Sequence, residues 1–239
     1  MKYVTVIVAA TIAAATMAQA ETSNNSLVVI ELFTSQGCSS CPPADKILSK
    51  LAKQDDILAL SLHVDYWDYL GWKDKFAIAK FGERQASYNA QIINRSRRVT
   101  PQMIFNGASE VAGGVGKSAE KIYKQVKSLH GWNEPATLDI VRNGQKVTLS
   151  LSANFQDLGD ADVSLVQYTP SEIVRIERGE NAGKTIDYIN TVTRFDIIGK
   201  WDTSKPDKIN ATLPGDGEYA VIVQGKRFGP VMVARRVPN

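Results

Sequence analysis

The feature that most constrains the fold is a pair of cysteines directly after a long apolar run. Residues 27–34 are almost continuously apolar and rich in β-branched side chains, the pattern of a buried strand. A Ser-Gln-Gly break follows, and then Cys38 and Cys41. Residues 42–52 open with two prolines, which fit the first turn of a helix, and carry apolar side chains at helical spacing. The sequence therefore predicts a strand, a tight turn and a helix, with both cysteines where the helix begins.

This placement favours redox chemistry, because a thiol at a helix N-terminus has a lowered pKa. The chain has two cysteines in all, so it cannot form a disulfide between distant segments. A disulfide between Cys38 and Cys41 closes so short a loop that it constrains the unfolded chain little. We expect Cys38, exposed at the N-cap, to be the attacking thiol and Cys41, one turn inward, to be the resolving thiol. A pair without redox function and half of a zinc site are the alternatives; the latter lacks a second ligand pair.

The N-terminus has the three-part pattern of a secretory signal peptide. Lys2 precedes an apolar run, and Ala18-Gln19-Ala20 offers a small-x-small cleavage site. We expect residues 1–20 to be removed and the protein to be periplasmic or secreted, with an uncleaved anchor as the alternative. No later run approaches about 18 apolar residues, so no membrane association is expected after cleavage.

The charge balance bears on one class of partner, the nucleic acids. The chain has 28 basic and 25 acidic side chains, a net charge of +3. This gives no general electrostatic reason to expect nucleic acid as a partner. We also expect no cofactor.

The pattern of periodic segments changes near residue 134. Residues 21–133 are predicted to be an α/β domain, and residues 134–239 a β-rich domain, a small antiparallel sandwich or half-barrel. The predicted strands of the first part are 27–34, 57–64, 102–105 and 109–112, and its helices are 44–52, 74–93 (broken near Gly82) and 118–129. Those of the second part are 137–142, 145–151, 163–168, 173–178, 185–194, 219–224 and 231–235.

Residues 27–129 resemble the thioredoxin fold. Leu-Val-Val-Ile-Glu-Leu-Phe followed by Cys-x-x-Cys-Pro is similar to its active-site strand and helix, and residues 99–107 resemble the segment that carries its cis-proline. Residues 31–45, 63–74, 100–103 and 178–183 are more narrowly similar to DUF1223, a family of secreted bacterial thioredoxin-like proteins of unassigned function. This closer resemblance covers the whole mature chain and implies a thioredoxin-like α/β domain followed by the β-rich part.

The resemblance also implies roles for single residues. Pro101 corresponds to the cis-proline, with Thr100 facing the disulfide, where the backbone can pair with an extended substrate. Glu31 lies near the position at which thioredoxins keep a buried acid beneath the second cysteine, where it would accept or relay the Cys41 proton. Its spacing to the cysteines is one residue longer here. An ordinary trans-proline and a surface glutamate are the alternatives.

An aromatic segment follows the second strand. Ligands of parallel α/β sheets bind beyond the carboxyl ends of the strands, so residues 63–72 are predicted to lie on the rim beside Cys38. Tyr66, Trp67, Tyr69 and Trp72 are then a candidate substrate surface, or they pack beneath an inserted helix.

The sequence thus predicts an exported thiol–disulfide oxidoreductase acting on a protein thiol or disulfide, together with a separate redox partner. One alternative is a copper-binding or metal-delivery module that uses Cys38, Cys41 and His63. Another is a non-catalytic binding protein. The Ser-Ser pair between the cysteines does not reveal whether the protein reduces or oxidises its partner.

Overall fold

The structure is a computed structural model that describes residues 26–94, 96–111, 119–129 and 134–239. The predicted signal peptide, residues 1–20, lies outside the described residues. The strands are β1 Val28–Thr34, β2 Ile57–His63, β3 Gln102–Phe105, β4 Ser109–Val111, β5 Ala136–Asn143, β6 Lys146–Ala153, β7 Ala161–Arg175, β8 Thr185–Trp201, β9 Asp207–Thr212, β10 Glu218–Gly225 and β11 Val231–Arg236. The helices are α1 Pro42–Leu51, α2 Ala79–Tyr88 and α3 Ala119–Leu129, with a 3-10 turn at Asp68–Leu70 and a π turn at Asn89–Ile93.

Eight of the described strands form one mixed sheet in the order β11-β10-β7-β8-β2-β1-β3-β4. β1 and β2 run parallel, and β3 is antiparallel to β1. β8 joins the parallel part through a pairing of Thr191 with Ser61 on β2. A second sheet contains β5, β6 and β9.

Alternation along β1 places helices on both faces of this part of the sheet. Val28, Ile30 and Leu32 pack on the face that α1 and α3 cover. Val29 and Phe33 point to the opposite face, where α2 packs. Successive side chains of a strand point to opposite faces, so every polar residue on β1 is assigned to one of these two layers.

The second half of the large sheet packs against the three-stranded sheet. Their shared core includes Leu138, Leu149, Val163, Trp201 and Val221. The C-terminal strands thus form a sandwich layer, but four of them also extend the sheet of the α/β part. A separate β domain is therefore not confirmed, and the observed fold is one large mixed sheet with few helices. β8 gives β2 a neighbour, so β2 is not left as an open sheet edge.

Most predicted elements are confirmed to within one or two residues, and four differ. The helix expected over 74–93 begins only at Ala79 and continues through Gly82 without a break. The strands expected at 163–168 and 173–178 are one strand, β7, in which Pro170 occupies an exposed position. β8 extends to Trp201, and β9 was not predicted. Within the described ranges, no helix combines the length and apolar character needed to cross a membrane.

Candidate redox site

Cys38 and Cys41 form a disulfide between the end of β1 and the start of α1, with their Cα atoms 5.4 Å apart. The turn is closed by the Cys38 amide, which donates to the Ser35 carbonyl at 3.1 Å. The predicted prolines occupy the first helical positions, but Cys41, not Cys38, is the N-cap. The Cys41 carbonyl accepts hydrogen bonds from the amides of Ala44 and Asp45.

Both cysteines are fully buried, with 0% of their surface exposed. The prediction that Cys38 is exposed is therefore wrong, although the intervening Ser39 and Ser40 do face solvent. The Asn181 side chain, from far along the chain, packs against this turn. Its Nδ2 donates to the carbonyls of Gln36 at 2.9 Å and of Cys38 at 2.8 Å.

The Thr100–Pro101 peptide bond is cis, as the resemblance implies. Trp67 connects this bond with the cysteine turn. Its Nε1 donates to Thr100 Oγ1 at 2.7 Å, and a Cβ added at Gly37 would lie 3.0 Å from the Trp67 Cβ. The structure thus brings Thr100 and the residue before Cys38 together at Trp67.

The other predicted aromatic residues divide into two groups. Trp72 and Tyr66 are partly buried; Trp72 Nε1 donates to Gln36 Oε1 at 2.8 Å, and the Tyr66 hydroxyl donates to Gln85 Oε1 at 3.0 Å. Burial raises the pKa of Tyr66 to about 12, so its hydroxyl remains a donor. Tyr69 is 78% exposed. The role of Tyr66, Trp67 and Trp72 as a substrate surface stays a prediction.

Glu31 does not lie beneath Cys41. It shares the α2 face of β1 with Val29 and Phe33, whereas α1 packs on the other face. Its carboxylate forms a buried, bidentate ion pair with Arg84, at 2.5 Å from Nε and 2.9 Å from Nη2. It also accepts a hydrogen bond from the Tyr88 hydroxyl at 2.6 Å. The carboxylate is thus fully engaged in structure on the wrong face for the role assigned to it.

The buried acid on the cysteine side of the sheet is Asp45, not Glu31. It lies one turn after Cys41 on α1 and is 5% exposed. Its Oδ1 accepts a hydrogen bond from Thr34 Oγ1 at 2.8 Å, and its Oδ2 has no hydrogen-bond partner among the described residues. Burial raises the pKa of Asp45 from 3.8 to about 7, against the opposing effect of nearby His63.

His63 is buried beside the same cluster. Its Nδ1 lies 2.7 Å from Asp74 Oδ2. The same oxygen accepts a hydrogen bond from the Gln36 backbone N–H at 2.8 Å. The rings of Phe76 and Tyr188 flank the imidazole, with ring centroids 5.1 and 4.7 Å from the imidazole centroid. Among the described residues, no group of three or more His, Cys, Asp and Glu side chains could hold a metal ion. The predicted metal set of Cys38, Cys41 and His63 is therefore not assembled.

Unsatisfied polar atoms concentrate around Asp45 and His63. Within the described part of the chain, the buried atoms without a hydrogen-bond partner include Asp45 Oδ2, Ser61 Oγ, His63 Nε2, Tyr188 OH and Thr191 Oγ1. Ser61 and Thr191 are paired across β2 and β8, and Tyr188 contacts His63. Buried unsatisfied groups are rare in folded proteins and often belong to functional sites.

A cavity of about 930 Å³ lies elsewhere, between α2 and the sheet. Arg84, Phe195, Arg227 and Phe228 are among its lining residues, and none of the predicted site residues lines it.

The comparisons with known proteins show the family to which the chain belongs. Residues 29–224 match the family described as "Protein of unknown function (DUF1223)". The chain belongs to the DUF1223 family. Over 52 residues, 22% of the chain, it is 42% identical to a probable thioredoxin from Archaeoglobus fulgidus, and it spans 57% of the length of that relative.

Two solved structures are similar to this DUF1223 chain. One, from Agrobacterium tumefaciens, is 30% identical with a TM-score of 0.74, covering 89% of this chain and 95% of the other. The second, HBP35 of Porphyromonas gingivalis, has a TM-score of 0.62 at 13% identity, covering 90% of this chain and 75% of the other. At that identity the second likeness shows the fold alone.

Proposed function

We propose that this DUF1223 protein is an exported thiol–disulfide oxidoreductase that acts on protein partners through Cys38 and Cys41. The observation that carries the proposal is the disulfide itself, formed where β1 meets α1 in a chain without other cysteines. The partial likeness to a probable thioredoxin supports the same chemistry. Within the large sheet, we assign this chemistry to a thioredoxin-like unit made of β1–β4, α1 and α3, with the C-terminal strands as an added part.

In the reducing direction, the Cys38 thiolate attacks a disulfide of the partner. A Cys38–partner mixed disulfide forms, and one partner sulfur leaves as a thiolate. Cys41 then loses its proton and attacks the Cys38 sulfur, which releases the second partner thiolate and restores the Cys38–Cys41 disulfide. Two electrons pass to the partner, and the reverse sequence oxidises it.

Asp45 is the acid that we propose for the Cys41 proton, in place of Glu31. It is buried one turn from Cys41 on the same helix, and one of its oxygens has no hydrogen-bond partner among the described residues. A carboxyl group with a pKa of about 7 can both take up and return a proton near neutral pH. Thr100 and Pro101, held by Trp67 beside the cysteine turn, are proposed to face the substrate backbone.

Trapping with single serine variants tests the proposal. Cys41→Ser retains the attacking thiol and lacks the resolving one, so it should accumulate mixed disulfides with exported proteins that a reductant releases. Cys38→Ser is the matched control, with the same number of thiols and the attacking position removed, and it should accumulate far fewer. Equal or absent trapping by both variants would contradict the redox assignment.

A second candidate is a non-catalytic protein in which the disulfide is only structural. The complete burial of both cysteines is the observation that favours it. A purely structural disulfide exchanges with no partner, so Cys41→Ser would trap nothing even in a variant that exposes the Cys38 sulfur. The trapping result therefore separates the two candidates.

A further inference from the structure

The segment between β7 and β8 contains one buried residue among exposed neighbours. Asn181 is completely buried, whereas residues 177–180 and 182–185 are all exposed. Burial of an amide side chain is costly unless its donors and acceptor are satisfied. The partners of Asn181 therefore identify what holds this segment in place.

Those partners are in the active-site turn. Asn181 Nδ2 donates to the carbonyls of Gln36 and Cys38, at 2.9 and 2.8 Å, and so bridges the backbone on both sides of Gly37. Lys184 Nζ donates to Asn181 Oδ1 at 2.7 Å, which orients the amide with its NH₂ group toward the turn. The side chain thus uses its polar atoms to clamp the backbone that carries the attacking cysteine.

Two further contacts join the segment to the cysteine turn and to Trp72. The Ser39 amide donates to Glu180 Oε2 at 3.2 Å. Gly179, with a φ of +77°, packs so closely on Trp72 that an added Cβ would lie 3.3 Å from the Trp72 Cβ. The same segment therefore contacts both the backbone between Cys38 and Cys41 and the aromatic residue Trp72 beside the turn.

The segment buries little of its own surface, since every side chain of residues 177–184 except that of Asn181 is exposed. It is closed on itself by hydrogen bonds between Ile176 and Gly183 and between Ile176 and Lys184. The ends of β7 and β8 that carry the segment are held by a small hydrophobic cluster of Val174, Ile176 and Tyr188. Regions with few buried apolar contacts open at a lower free-energy cost than the core of a protein.

We propose that residues 177–184 form a gate over the Cys38–Cys41 disulfide, with Asn181 as the positioning residue that holds the gate closed. This inference rests on the proposed function. A partner sulfur must contact the Cys38 sulfur to exchange with it, and neither cysteine is accessible while Asn181 binds the turn. Opening the gate exposes the disulfide to its partner, a protein thiol or disulfide.

The rate of disulfide reduction in the folded protein tests the gate. The probe is dithiothreitol, with quenching by a maleimide and counting of labelled thiols by mass. Asn181→Ala removes both hydrogen bonds to the turn and should speed reduction about tenfold or more. Asn181→Asp keeps the size and the acceptor but loses the NH₂ donors, so it should behave like Asn181→Ala.

A second variant and a control guard against a general loss of structure. Gly179→Ala leaves the Asn181 amide in place but strains the backbone and crowds Trp72, so it should also accelerate reduction. Asn154→Ala is the control, because Asn154 likewise donates to a backbone carbonyl, that of Glu134, outside this segment. It should reduce at the wild-type rate, and circular dichroism should show that all variants remain folded.

The outcomes separate the gate from the proposed function. Wild-type reduction rates in Asn181→Ala and Gly179→Ala would overturn the gate and leave the redox function standing. Faster reduction in these variants, combined with no trapping by Cys41→Ser in either the wild-type or the Asn181→Ala background, would support the gate and refute the redox function.

Discussion

Replacing Asp45 with asparagine should change how the stability of the protein depends on pH. Asparagine has nearly the shape of aspartate, and its carbonyl oxygen can still accept the hydrogen bond from Thr34. The substitution therefore removes one ionisable group from the buried cluster. The groups that face it remain, namely His63, which lowers the pKa of Asp45, and Asp74, which raises it. Tyr188, whose own pKa is raised chiefly by burial, also remains.

The sign follows from the raised pKa. In the folded protein burial raises the pKa of Asp45 from 3.8 to about 7, so the folded state binds this proton more tightly than the unfolded state. The contribution to stability is complete below about pH 4 and is lost as the pH rises toward 7. The loss corresponds to about 4 kcal/mol, at about 1.4 kcal/mol for each tenfold change in proton affinity.

Urea unfolding of the oxidised wild type and of Asp45→Asn, between pH 4 and pH 8, measures this effect. The free energy of unfolding of the variant should rise relative to the wild type across this range, by about 4 kcal/mol, and the difference should level off above pH 8. Parallel pH profiles for the two proteins would refute the assignment of Asp45 as a buried acid that titrates near neutrality.

Two further predictions concern Glu31 and His63. Glu31→Gln leaves the buried Arg84 guanidinium without its counter-ion and should lower the free energy of unfolding, measured by chemical denaturation, by about 3–5 kcal/mol. The control is Asp196→Asn, which breaks an exposed pair with Arg194 and should change that free energy by less than about 1 kcal/mol. Equal effects of the two variants would contradict the structural role of Glu31. Cu(I) titration of the reduced protein should give the same affinity for the wild type and for His63→Ala, because the His63 imidazole is bound to Asp74. A loss of tight Cu(I) binding in the variant would instead favour the metal-delivery alternative.

The sequence predicts best what depends on neighbours along the chain. The apolar run, the break at Gly37 and the two prolines predict β1 and the start of α1, because strand and helix formation there are governed by local periodicity. The resemblance adds the cis bond at Pro101. The aromatic segment is also found beside the cysteine turn, since it follows the neighbouring parallel strand β2.

The errors arise where the decisive contact is distant or depends on the face of an element. Alternation along β1 was enough to place Glu31 on the opposite face from α1, since it falls in phase with Val29 and Phe33, but the position was assigned by resemblance. Asp45 carried a signal as well, an acid one turn after Cys41. The contact between Asn181 and the cysteine turn carried none, because the two are about 140 residues apart along the chain.

The most direct test of the central claim is the reduction potential of the Cys38–Cys41 pair in the folded protein. Equilibration in dithiothreitol or glutathione redox buffers, followed by thiol labelling, measures it. The redox proposal predicts one reversible two-electron transition between about −120 and about −270 mV, with the fold retained in both states. A disulfide that stays oxidised below about −300 mV, or that is reduced only when the protein unfolds, would show that the pair is structural and would contradict the proposal.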